Sequence, residues 1–164
     1  MHPARLAPDV LLHDCTETRT KRSGPGGQHR NKVETAVILL HRPTGIMAEA
    51  SERRSQADNR RVAVFRLRLR LALAHREAPT VEPSPLWRSR VHNGRLAVAG
   101  SHDDYPAMVA EALDCVVAAT LDMPTAAATL GVSPSQLVSL LEKEPAALGA
   151  LNRLRGAAGL KPLR

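Results

Sequence analysis

At 164 residues the chain is long enough for one domain or two small ones, and its net charge of +7 is unevenly placed: residues 1–90 hold 17 Lys/Arg against 9 Asp/Glu, residues 91–164 hold 6 against 7. The basic, arginine-rich half suits contacts to nucleic-acid phosphates, while a total of three aromatics, Phe65, Trp87 and Tyr105, argues against a platform that stacks successive bases and favours recognition of folded RNA by shape and backbone. Cys15 and Cys115 lie far apart without metal-ligand or redox spacing, the histidines form no ligand pair and no apolar run is membrane-long, so the expectation is no metal, no cofactor, no membrane and a cytoplasmic setting.

In chain order, residues 15–20 alternate threonine with charged groups and read as a half-buried strand. It feeds the run Ser23-Gly24-Pro25-Gly26-Gly27-Gln28-His29-Arg30-Asn31-Lys32. Gly24, Gly26 and Gly27 permit positive φ and remove the Cβ atoms that keep a main chain out of a narrow cavity. Taken alone the run also fits a surface turn, and the Gly-x-x-x-x-Gly-Lys-Ser/Thr spacing of a phosphate-binding loop is absent. Residues 34–41 form a second strand, apolar on both alternating faces and therefore expected to be central and covered on both sides. Pro43-Thr44-Gly45 supplies a turn into a partner strand over 46–50.

Ser55-Gln56-Ala57-Asp58 fits a capping box that opens a helix to about residue 76. Residues 66–71 alternate arginine and leucine as a strand would, but Val62, Phe65, Leu69 and Leu73 recur at helical spacing. No β-branched residue occurs from 66 to 76, which decides for helix with arginines on more than one face. Residues 78–104 are rich in Pro, Ser and Gly and read as a linker with a small hairpin turning at Asn93-Gly94. Helices follow over 105–121, 124–130, 133–143 and 145–155, the middle pair resembling a helix-turn-helix. Its second helix offers only Ser135, Gln136 and Ser139 among acidic neighbours, so docking or structural extension is favoured over DNA reading. The end of the chain carries Arg153, Arg155, Lys161 and Arg164 with no acidic residue after 151.

Four motifs stand in order: Gly26-Gly27-Gln28 flanked by Arg22 and Arg30-Asn31-Lys32; Val33-Glu34-Thr35-Ala36-Val37; His41-Arg42-Pro43-Thr44-Gly45-Ile46; and Arg54-Ser55-Gln56 with Asn59. Together, over roughly residues 15–76, they resemble the catalytic domain of class I peptide chain release factors and their ribosome-rescue relatives. The resemblance implies a Gly-Gly-Gln catalytic domain over 1–77, with an antiparallel sheet and a long helix; with the linker 78–104 and the all-helical domain over 105–164, basic at its tail, that composition and helix signals indicate, the expected class is α+β. It implies as substrate the ester between a nascent peptide and the terminal adenosine of tRNA, attacked by water in the peptidyl-transferase centre of the large ribosomal subunit. Gly26, Gly27 and Gln28 are then the catalytic residues. The Gln28 amide faces the developing oxyanion, where one oriented donor is worth about 3 kcal/mol, and its side chain shapes the water site. His29 neighbours the motif but is not the family's catalytic group.

Arg22, Arg30 and Lys32 are expected to grip RNA around the loop, and Arg60, Arg61, Arg66, Arg68 and Arg70 to face RNA in part. Rescue factors of this family often end in a basic tail that orders in an empty messenger channel; Arg153, Arg155, Lys161 and Arg164 are the candidates here, with a solvated terminus equally open. About twenty residues precede the loop, so no codon-reading module is expected, and the reading is codon-independent hydrolysis of peptidyl-tRNA in rescue of stalled ribosomes. Complete factors are methylated on the glutamine matching Gln28. Two rivals stand beside this: a ribosome- or tRNA-binding adaptor whose helical domain contacts a protein partner, and a helix-turn-helix regulator of nucleic acid. The intact Gly26-Gly27-Gln28 disfavours the first and the acidic second half disfavours the other.

Overall fold

A computed structural model describes residues 1–21, 35–79 and 82–164. A 3₁₀ turn (Pro3–Arg5) and α1 (Pro8–His13) precede strands β1 (Cys15–Thr20), β2 (Ala36–His41) and β3 (Ile46–Ala50). Then come α2 (Gln56–Ala74), α3 (Pro85–Arg90), the hairpin β4 (Val91–His92) and β5 (Arg95–Leu96), and helices α4 (Tyr105–Ala118), α5 (Met123–Thr129), α6 (Pro134–Glu142) and α7 (Pro145–Ala157). The class is α+β, as expected.

The first three strands form an antiparallel meander with β2 in the middle, registered from Cys15↔His41 to Thr20↔Ala36 and from His41↔Ile46 to Val37↔Ala50. The turn between β2 and β3 closes with a 2.8 Å bond between His41 Nδ1 and Thr44 Oγ1, and Gly45 takes a φ of +69°, where a side chain would be strained. Val37, Leu39, Ala48 and Ala50 are buried, whereas Leu40 and Met47, cross-strand partners on the other face, remain 37% and 49% exposed. The expectation that β2 is covered on both sides is therefore corrected. It is central, but the helices gather on the α2 side of the sheet.

α2 begins where Ser55 Oγ accepts the Asp58 amide at 3.3 Å. Two residues along a helix turn it by about 200°, so alternating leucines project in nearly opposite directions: Leu67 and Leu71 one way, Leu69 and Leu73 the other. A helix held on two sides needs that pattern, and α2 lies between the sheet and α4. Every residue from Tyr105 to Val116 of α4 is buried, as befits a helix surrounded by neighbours. Its two carboxylates bind the chain arriving from α2. Asp114 accepts from Arg76 Nη1 at 3.0 Å and the Glu77 amide at 3.2 Å, and Glu111 accepts the Ser84 amide at 2.6 Å and hydroxyl at 2.5 Å. Burial pushes the Asp114 carboxyl up even with the Glu77 amide and Arg76 pulling it down.

Residues 78–104 do more than link. Trp87 of α3 is buried and its indole donates to the Leu130 carbonyl at 2.8 Å; the predicted hairpin turns at Asn93 and Gly94, with φ of +50° and +69°. One apolar cluster runs from Leu11 and Leu39 through Leu67 and Met108 to Leu137 and Leu151, so the helices after 105 share a core with the sheet instead of closing one of their own.

His2 pins the start of the described chain to the end of α2. Its Nδ1 accepts the Ala4 amide and its Nε2 donates to the His75 carbonyl, both at 3.1 Å, which fixes the neutral tautomer. Burial lowers its pKa from 6.5 to about 4. An unfolded chain then takes up the proton first, so His2 stabilises the fold fully above about pH 6.5 and that contribution is lost as pH falls towards 4. Denaturant titrations should lose up to about 3 kcal/mol from this group over that interval. In His2→Gln, whose amide keeps one donor and one acceptor, this part of the pH dependence should vanish; an unchanged profile would assign it elsewhere. His41, lowered by burial in the same direction, adds to the residual slope.

Candidate nucleic-acid interface

The glycine run leaves and re-enters the sheet at one end, from Thr20 of β1 and into Ala36 of β2, which are paired. Arg22, Gly26, Gly27, Gln28, Arg30 and Lys32 lie outside the described residues. What the structure shows is the mounting. Asn59, fully buried on the first turn of α2, donates Nδ2 to the Thr35 carbonyl at 2.7 Å and to the Arg53 carbonyl at 2.9 Å, and its Oδ1 accepts the Arg53 amide at 2.8 Å. One side chain thus fastens the returning end of the loop to the start of α2. The motif reading included Asn59 but gave it no role, because its partner Thr35 lies far back in the sequence.

The five arginines of α2 separate by function. Arg68 is 7% exposed; its Nε donates to the Ala4 carbonyl at 3.0 Å and its Nη1 to the Asp103 carbonyl at 2.6 Å. It is withdrawn from the surface, correcting the expectation that it faces RNA, because its position falls on the side of α2 covered by the first turn and α4. Arg66 and Arg70 reach the free edge of β3, donating to the carbonyls of Glu49 at 2.9 Å and Met47 at 2.5 Å, with Arg66 also on Glu52 at 2.6 Å. Four residues of helix and two of strand both advance about 6 to 7 Å, so this pair matches the edge it satisfies. Arg60 is paired with Glu17 at 2.7 Å. Partial burial raises the Glu17 carboxyl, but the hydrogen bonds from Arg60 and Arg19 outweigh it and hold the group below its usual range. Arg61 is exposed, as are Arg53 and Arg54 just ahead of α2, and no carboxylate among the described residues forms an ion pair with these three.

The two other basic sets are also divided. Residues 158–164 fold back along α7: Asn152 accepts the Leu163 amide at 2.8 Å and donates to its carbonyl at 3.1 Å. Arg155 donates to the carbonyls of Lys161 at 2.9 Å and Leu121 at 3.1 Å, so it fastens this strap, while Arg153, Lys161 and Arg164 remain exposed. In the helix-turn-helix pair, Gln136 accepts the Leu96 amide at 2.6 Å and donates to the Gly94 carbonyl at 2.8 Å. The β4–β5 hairpin thereby occupies the start of α6, where a recognition helix would present its reading groups. Among the described residues no cluster of His, Cys, Asp and Glu could hold a metal ion, and no described helix is long and apolar enough to cross a membrane.

Thr20 and Thr35, which flank the glycine run, are held to the sheet and to α2, and Arg53, Arg54 and Arg61 form no ion pair with a carboxylate among the described residues; comparison with known proteins supplies the class. The RF-1 domain family matches residues 8–97, more than half of the chain. The chain belongs to this family. It is 48% identical over 64 residues to the mouse (Mus musculus) mitochondrial peptide chain release factor 1-like protein, covering 38% of this chain and 17% of that protein. It is 40% identical over 89 residues to peptide chain release factor 1 of Ureaplasma parvum serovar 3, covering 52% of this chain and 24% of that factor. The chain thus spans a quarter or less of the length of these curated relatives, and the matched family segment stops just short of α4.

Proposed function

We propose that this chain hydrolyses the ester of peptidyl-tRNA on stalled ribosomes without reading a codon. The observation that carries the reading is Gly26-Gly27-Gln28 inside the matched family segment, between Thr20 and Thr35, which the Thr20–Ala36 pair and the Asn59 clamp hold in place. A pre-set mounting matters because placement of water is the chemistry on offer: Gln28 has no titrating group, so it acts by orienting a water and a backbone donor, with ribosomal and transfer RNA supplying the remaining groups. Gly26 and Gly27 allow the main chain to enter. Arg22, Arg30 and Lys32 hold phosphates beside the loop. The site of action is the peptidyl-transferase centre of cytoplasmic ribosomes, no metal or cofactor takes part, and the α4–α7 side serves contacts made by the stalled complex or a protein partner.

The test is release of labelled peptide from purified ribosomes carrying peptidyl-tRNA, with a stop codon, a sense codon or no codon in the decoding site. Equal release with the empty site and either codon supports the proposal. Release only with a stop codon would remove its codon-independent part, and no release in any arm its catalytic part.

The division of arginines adds a second test. Arg54→Gln with Arg61→Gln should weaken ribosome binding and flatten its dependence on log salt by about 0.7 to 0.9 per lost phosphate contact. Arg68→Gln should lower stability instead, since it strips donors from one buried and one part-buried carbonyl contact. Identical salt slopes in all variants would mean that this face does not touch RNA.

A further inference from the structure

Two cavities meet on the side of α2 away from β3. One, about 530 Å³, is lined by Arg53, Asp58, Arg61, Phe65, Ser101 and Asp103 among others. The other, about 320 Å³, shares Arg61, Phe65 and Asp103 with it and adds Pro8, Leu12 and Arg68. Both sizes fall in the range of about 300 to 1,000 Å³ typical of small-ligand sites. We infer that this groove binds one unpaired RNA nucleotide, its base against Phe65 and its phosphate at Arg53 and Arg61.

Each part of the lining has a use for such a ligand. Arg53 and Arg61 form no ion pair with a carboxylate among the described residues, which leaves their planar guanidinium forks for phosphate. Phe65, the chain's one phenylalanine, is partly exposed and lines both cavities, so the floor is aromatic where they join. One aromatic serves one base, in keeping with a chain too poor in aromatics to carry a strand. Asp58, Asp103 and Ser101 place acceptors around it. A carboxylate accepts from the exocyclic amino groups of cytosine, adenine or guanine, whereas uracil has none, so the site should prefer amino-bearing bases.

The wall is built in advance. Arg68 holds the Asp103 carbonyl from beneath, Arg90 holds the Asp104 carboxylate, and the Asp104 amide donates to His102 Nδ1 at 3.1 Å. Little ordering of residues 101–104 then remains to oppose binding. Ser101 and Asp103 lie beyond the family segment ending at 97, so the groove arises where this chain's later part meets the shared domain. The inference rests on the reading of this face as an RNA contact, and adds to phosphate gripping a site that can tell one base from another.

The experiment uses the full chain without ribosomes, so its outcome is independent of peptide release. Amide chemical shifts are followed during titration with CMP, AMP, GMP and UMP, a single-stranded tetraribonucleotide, a blunt RNA duplex and an uncharged tetrapeptide. Shifts should centre on Arg61, Phe65, Ser101 and Asp103, with amino-bearing nucleotides binding at least about fivefold tighter than UMP. Phe65→Leu, which keeps an apolar side chain packed against the core, should weaken all nucleotides about tenfold, and Arg61→Gln, at an exposed position, should weaken them by a similar factor. Asp103→Asn, able to donate as well as accept, should narrow the preference against uracil. No groove shifts at several millimolar nucleotide, a duplex that binds as well as the single strand, or a groove filled by the peptide but not by nucleotides would each overturn the inference. If release from ribosomes survives in that case, the proposed function stands alone.

Discussion

Gln28→Ala is expected to lower single-turnover peptide release at least about a hundredfold while leaving ribosome affinity and thermal stability near those of the parent chain. A reaction that works by positioning loses about that much when the reacting water is misplaced by an ångström, and a hundredfold corresponds to about 2.7 kcal/mol of transition-state stabilisation. The loss should appear in the rate at saturating protein, because the interaction removed is made in the transition state and not in binding. Gly27→Ala should act alike by denying the main chain a torsion. The Asn59 clamp supplies a control of a different kind: Asn59→Asp keeps the acceptor for the Arg53 amide but loses the Nδ2 donor to Thr35 and Arg53, so it should reduce both stability and release. Release by Gln28→Ala at the parent rate would remove the enzyme reading, whatever the family resemblance.

Much of the chain up to the β4–β5 hairpin was readable because its signals are local. The Asn93-Gly94 turn, the Ser55 cap, the Pro43-Thr44-Gly45 turn and the three strands each depend on a few adjacent residues, and each appears near its expected place, β2 being described from Ala36 while Glu34 of its expected span lies outside the described residues. The misreadings share one cause, which is that burial depends on partners remote in sequence. Ile38 and Leu40 look like the second face of a covered strand, yet Leu40 and its cross-strand partner Met47 stay well exposed. Arg61 and Arg68 are equivalent as letters. Only the arrival of the Pro3–Arg5 turn and residue 103 beside α2 makes one a surface cation and the other an internal strut. Burial on both sides lowers the pKa of the Arg68 guanidinium, with Asp104 and Asp103 opposing the shift. The catalytic reading came from four motifs standing in order, the glycine run among them, whereas Asn59, Arg53 and Phe65 acquire roles only through contacts or cavities that pair them with remote segments.

A chain ending at Arg90 is expected to lose cooperative folding, the second large effect. The proline-rich stretch from 78 looks like a place to cut, but the cut removes α4, whose residues Tyr105 to Val116 are all buried, and with it the cover over one side of α2. Each large apolar side chain returned to water costs about 1.5 to 3 kcal/mol. Tyr105, Met108 and Leu113 are removed from a cluster continuous with Leu67 and Leu71, so the loss reaches most of the 5 to 15 kcal/mol that typically holds a domain together. Polar ties fail as well. Arg68 loses the Asp103 carbonyl, Arg76 and the Glu77 amide lose Asp114, and Ser84 loses Glu111. Thermal denaturation followed by circular dichroism should show a broad, shallow change in the truncated chain against a sharp transition in the full one. A chain shortened only to Ala157, which gives up the Leu163 strap, should melt sharply within several degrees of the parent. If the Arg90 truncation instead unfolded cooperatively near the parent temperature, the sheet and α2 would be self-sufficient, and the helices after 105 would be free to serve recognition alone.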